Sequence, residues 1–232
     1  MKESMKKLLL FDIDRTLVTS AHDNGFVKAI GNLHGLDMQL DSDIQGHTDY
    51  LILGALLRRE GWSERQIMDA MPRLIQELDS VHAETFNPAS ITILPGVREL
   101  LDALEKTGIM LGLITGNLES IAERKLSAVG IWQYFTVGGY GSDPHTTRAD
   151  LVRVAILRAG YDNQLENVYV IGDTARDIQA AHDAGITNSV GVANGFRDIQ
   201  ELIDAHASVV LENFKDTQLV LDTLRIVDTY DS

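Results

Sequence analysis

The chain has 232 residues, 44% of them hydrophobic, enough for one large domain or a domain carrying an insert. Its 34 acidic and 20 basic residues leave a net charge of −14, which argues against a nucleic-acid-binding surface and against docking on anionic membranes. With no cysteine, disulfides, thiolate catalysis and cysteine zinc sites are excluded, and a reducing cytoplasm fits. Lysines precede Leu8, but the apolar run that follows is too short for a signal-peptide core or a membrane span, so a cytoplasmic protein is expected.

In chain order, residues 7–13 read first, as a buried strand. Asp12 and Asp14 stand where it ends, and side chains at i and i+2 of a strand share a face about 6–7 Å apart. Two carboxylates held that close repel unless a cation or a shared proton lies between them. The pair therefore points to chemistry rather than to stability.

Residues 19–93 contain no convincing strand and at least three helical patterns. Ile67, Ala70, Met71, Leu74 and Leu78 make the clearest stripe, and Ser63 with Gln66 forms its predicted capping box. Beyond this block the rhythm turns to alternating strands and helices. Strands are predicted over 109–114, 168–171, 189–192 and 208–211. Between them, Val97, Leu100, Leu101 and Leu104 follow the i, i+3, i+4, i+7 rule after Pro95 and before Gly108. Val152, Ala155, Ile156 and Ala159 repeat it and stop at Gly160, and Ala180, Ala181 and Ala184 precede Gly185. This is an α/β pattern: a Rossmann-like, doubly wound parallel sheet over residues 1–18 and 94–232, with a helical cap domain inserted at 19–93.

Ligands of such sheets bind outside the carboxyl ends of the strands. Asp12, Asp14 and Thr16 stand there, as do Thr115, Gly116 and Asn117, and then Gly172, Asp173, Thr174 and Asp177. A basic residue between Lys125 and Arg148 completes the set. Each has an ordinary alternative: a turn for Thr115–Asn117, a capping box for Thr174 with Asp177, solvation for Lys125. Together they meet the needs of phosphoryl transfer. One carboxylate attacks phosphorus, a second moves the proton, acids hold Mg²⁺, and hydroxyl, amides and a cation hold the phosphate oxygens.

At these residues the chain resembles the haloacid dehalogenase-like hydrolase superfamily, and within it the phosphoglycolate-phosphatase-like branch, over its whole length. The segments Asp12-Ile13-Asp14-Arg15-Thr16-Leu17 and Gly172-Asp173-Thr174-Ala175-Arg176-Asp177 carry the likeness. The resemblance implies Asp12 as nucleophile and Asp14 as general acid/base. It implies Mg²⁺ bound by Asp12, Asp173 and the backbone carbonyl of Asp14, with Asp177 in support. Thr115, with the amides of Gly116 and Asn117, would bind phosphate. Arg15 stands where the family has glycine, Ala175 stands where proline is common, and no Lys-Pro pair occurs. Lys125 is therefore taken as the phosphate-binding cation, with Arg148 in reserve.

The run Gln45-Gly46-His47-Thr48-Asp49 resembles the Gly-x-Thr-Asp segment of related caps and is expected to face the site, with Thr48 near the substrate. The expected activity is a Mg²⁺-dependent phosphatase acting on a small phosphorylated metabolite, as monomer or homodimer. A haloacid dehalogenase, a phosphomutase, a phosphonatase and a non-catalytic member of the fold are the alternatives. The acid at position 14 favours phosphate, because a halide leaving group needs no proton.

Overall fold

Leu8–Phe11 (β1) is buried along its whole length, as a strand covered on both faces must be. It pairs in parallel with Met110–Ile114 (β4) on one side and with Val168–Gly172 (β6) on the other. The structure, a computed structural model, describes residues 7–20, 25–39, 47–143 and 147–226. Val137–Gly139 (β5), Asn188–Val192 (β7) and Val209–Leu211 (β8) complete a six-stranded parallel sheet in the order β5-β4-β1-β6-β7-β8.

Alternate residues of β1 feed two cores. Leu9 and Phe11 pack with Val97–Thr107 (α4), Glu119–Ala128 (α5) and Thr217–Thr223 (α9). Leu8 and Leu10 pack on the opposite face with Arg148–Ala159 (α6) and Ala175–Asp183 (α7). Such double winding places the sheet's reversal of strand order beside β1, where ligands of these folds sit. The helix stops follow the sequence: α4 ends at Gly108 and α6 at Gly160, both in left-handed conformation. A short helix, Ile199–Asp204 (α8), connects β7 to β8.

Gly25–His34 (α1), Asp49–Arg59 (α2) and Glu64–Thr85 (α3) share a third apolar cluster, which Leu118 and Ile121 at the start of α5 also join. Ser63 and Gln66 form the expected reciprocal cap of α3. One expectation needs correcting. At the two ends of this helical stretch Val18–Thr19 (β2) and Thr92–Ile93 (β3) pair antiparallel, so the stretch is not strand-free. Two residues carry no readable alternation. The three-residue β5, two of them glycines, escaped the pattern for the same reason.

Candidate active site

β1 holds its register to its last residue, and the Asp12 amide still donates to the Ile171 carbonyl at 2.8 Å. The Asp12 side chain is thereby fixed against the end of β6, where Asp173 follows. Asp177 joins them from the first turn of α7. Oxygens of these three buried carboxylates lie within 4.8 Å of one another. Asp177 also caps α7, accepting from the Thr174 amide at 3.0 Å and hydroxyl at 2.6 Å. The capping reading and the site reading of Asp177 thus hold at once. Gly172 permits the approach, for a Cβ there would lie 2.4 Å from the Asp177 carboxyl carbon.

Arg148 is buried among these acids. Its Nη2 donates to Asp12 Oδ1 and to Asp177 Oδ1, both at 2.6 Å. Arg197 reaches Asp173 at 3.4 Å. These cations do not offset the crowding. Burial, then the charge of Asp177, push Asp12 well above the ordinary carboxylate range, with Arg148 opposing. Burial and Asp177 push Asp173 up to about 7. Three buried carboxylates with unrelieved repulsion are a hard-oxygen donor set that suits Mg²⁺.

The carboxylate of Asp14 belongs to a different network. It meets Lys125 Nζ at 2.9 Å through both oxygens and accepts from Asn117 Nδ2 at 2.7 Å and Ser20 Oγ at 3.2 Å. Burial pushes Asp14 up, yet Lys125 and the hydrogen bonds of Asn117, Lys125 and Ser20 outweigh it and hold the group below its ordinary value. Thr115, just past β4, accepts from the Asn117 amide at 3.2 Å and side chain at 2.8 Å. Lys125 also donates to Asn117 Oδ1 at 2.9 Å.

Asp12, Asp14, Asp173, Asp177, Thr115, Gly116, Asn117, Lys125 and Arg148 all line one cleft of about 610 Å³. Thr16 and Thr48 do not. Thr16 is buried beneath the turn, its hydroxyl without a hydrogen-bond partner among the described residues. Thr48 is the N-cap of α2, accepting from Leu51, and its buried side chain serves the helix. His47 and Asp49 do line the cleft, while Gln45 and Gly46 lie outside the described residues.

Among the lining residues that the sequence reading does not single out are two charged ones, Arg197 and Asp49, beside neutral ones such as Ser20 and Phe26. Arg197 follows β7, and extending the strand-end rule to that strand would have found it. Asp49 was seen only as part of a segment. Its amide donates to the Gly116 carbonyl at 2.8 Å, and its buried carboxylate accepts from the Leu118 amide at 2.9 Å, joining α2 to the loop that leads into α5.

This fold and this acid-lined sheet edge suit a hydrolase. A family model described as haloacid dehalogenase-like hydrolase matches residues 9–182, and a related one matches 148–217. The chain belongs to the haloacid dehalogenase-like hydrolase family and is an enzyme of its phosphatase group. It is 31% identical over 213 residues to a phosphoglycolate phosphatase of Synechococcus elongatus, covering 90% of this chain and 93% of that one. A phosphoglycolate phosphatase of Agrobacterium fabrum is 28% identical over 217 residues, covering 90% of each. The crystal structure of a hydrolase from Pseudomonas syringae shares the fold with a TM-score of 0.68 at 24% identity, over 94% of this chain and 99% of that one.

Proposed function

We propose that the protein is a Mg²⁺-dependent phosphatase that hydrolyses phosphomonoesters of small metabolites in the cytoplasm, with residues 19–93 acting as a cap over the site. The observation that carries this reading is the division of labour between two carboxylates at one strand end. Asp12 lies in an acid cluster short of positive charge, whereas Asp14 lies in a network of Lys125, Asn117 and Ser20.

Asp12 attacks phosphorus while the ester bond to the alcohol breaks, leaving an aspartyl-phosphate. The departing alkoxide takes the proton of Asp14. Asp14, now ionised, takes a proton from water, whose oxygen attacks the phosphoryl group and frees Asp12 and inorganic phosphate. Lys125 links the steps. A phosphate dianion that engages Lys125 shares the cation held by Asp14, so Asp14 binds its proton more tightly when substrate is present. Asp12, Asp173 and the Asp14 backbone carbonyl would hold Mg²⁺, supported by Asp177. The bound ion supplies positive charge to the phosphoryl oxygens. Arg148 keeps the Asp12 carboxylate aimed into the cleft and neutralises part of the acid cluster.

Release of phosphate from p-nitrophenyl phosphate, with Mg²⁺ and with EDTA, tests the reading against Asp12→Asn. Activity that needs both the metal and Asp12 is expected, because an amide cannot form the acyl-phosphate. Equal activity in EDTA, or in the variant, would sink the proposal. Asp14→Asn should bind substrate normally and turn over about 10²- to 10⁴-fold more slowly. A near-normal rate would remove Asp14 from the proton-transfer role.

A further inference from the structure

The phosphate end of the cleft is built by the sheet edge, and the remainder is walled by residues 19–93. That wall has a substantial apolar part, set among polar residues that include His47, Asp49 and His82. Phe26 of α1, Ile52 of α2, Leu78 of α3 and Phe86 just after α3 all face the cleft, beside the uncharged Thr85 and Asn87. The whole of residues 19–93 contains only five lysines and arginines: Lys28, Arg58, Arg59, Arg65 and Arg73. None of them lines the cleft. Lys28 instead lies 3.7 Å from Glu84, and Arg58 pairs with Glu64.

The formal charges of the cleft agree. Among the described residues, five aspartates (12, 14, 49, 173 and 177) face the four basic side chains of Arg15, Lys125, Arg148 and Arg197. A divalent cation and a phosphomonoester dianion cancel each other. Even with Asp14 carrying the proton that it donates, the loaded cleft has no surplus of formal positive charge, its histidines taken as neutral, before any further group of the substrate is counted. A second anionic group would find no lysine or arginine on that wall, and desolvating a carboxylate without a cation beside it is costly. The volume, about 610 Å³, lies within the roughly 300–1,000 Å³ that holds drug-sized ligands and exceeds the needs of a two-carbon acid.

We infer that the substrate class is a phosphomonoester of an uncharged alcohol with a substantial apolar face, and that the cleft selects against esters carrying a second anionic group. This inference rests on the phosphatase reading, from which it separates experimentally. Benzyl phosphate and phosphoglycolate are both esters of primary alcohols, so leaving-group reactivity is similar and the remainder of the alcohol differs. With Mg²⁺, kcat/KM for benzyl phosphate should exceed that for phosphoglycolate by about tenfold or more. Thr85→Lys, which places a cation at an exposed position of the wall, should shift the ratio toward phosphoglycolate by several-fold.

A wild-type preference for phosphoglycolate would overturn the inference and leave the phosphatase reading standing. So would a ratio unmoved by Thr85→Lys. Absence of Mg²⁺-dependent turnover of both esters and of p-nitrophenyl phosphate would overturn the phosphatase reading, and the inference with it.

Discussion

Arg15 occupies a left-handed backbone conformation, φ 64°, that an L-residue adopts at a cost and glycine adopts freely. Its surroundings hold it there. The Arg15 amide donates to the Val18 carbonyl at 2.7 Å, and the Asn194 side chain donates to the carbonyls of Arg15 and Thr16. Its guanidinium lies 5.7 Å from the Phe196 ring. Arg15→Gly and Arg15→Ala both delete the side chain, so their difference isolates the backbone. Urea denaturation should find the glycine variant more stable by about 1 kcal/mol. Equal stabilities would mean that the turn carries no strain.

Asp49 yields a pH prediction. Burial outweighs its bond from the Leu118 amide and pushes it from an ordinary 3.8 up to about 7. The folded state thus binds this proton more tightly than the unfolded state. The associated stability is complete below about pH 4 and is lost as pH rises through about 7. Asp49→Asn keeps an acceptor for Leu118 and removes the titration. Thermal melts should converge near pH 4 and show the variant gaining on wild type up to pH 8; parallel curves would refute the assignment. At this scale the sequence was most readable where residues are neighbours in a motif, as with Asp12 and Asp14. Asp49 hid because its importance comes from a contact across 69 residues, with Leu118.

Between elements, the decisive contact is where the helical stretch meets the loop after β4. A Cβ at Gly116 would stand 2.6 Å from the His47 carbonyl oxygen and 2.8 Å from the Thr48 Cα. Both are backbone atoms with little freedom to retreat. Gly116→Ala should cost about 1–3 kcal/mol of stability. It should also lower kcat/KM by displacing Thr115 and Asn117; an unchanged denaturation midpoint would show that the two segments part easily. A second joint lies farther out, where Arg124 of α5 pairs with Asp79 of α3 and meets His82 at 3.2 Å. The long amphipathic helices were legible because each repeats its apolar period several times. β2, β3 and β5 were not, since their partners rather than their composition make them strands.

For the molecule as a whole, electrostatics decides behaviour in solution. A chain of charge −14 repels its own dianionic substrate at long range. Raising salt from 0.01 M to 0.15 M shortens the screening length from about 30 Å to about 8 Å, so KM for a phosphomonoester should fall over that range. A rising KM would show that local cations dominate capture. Mg²⁺ should also stabilise the fold, by about 2.7 kcal/mol at a hundred times its Kd. Asp173→Asn should lose most of that gain in thermal melts, and an undiminished shift would place the ion elsewhere.

The central position of β1 has a consequence for how the enzyme comes into being. The strand that ends just before Asp12 leaves the ribosome ahead of both its neighbours, which lie about a hundred and a hundred and sixty residues downstream. Until Val168–Gly172 has been synthesised, β1 lacks one of its flanking strands, and Asp173 and Asp177 do not exist to stand beside Asp12. Contacts of such long sequence separation form late and slowly. The nascent chain therefore leaves one edge of a four-residue apolar strand unpaired until that segment has emerged, and the acid cluster assembles together with it rather than by degrees.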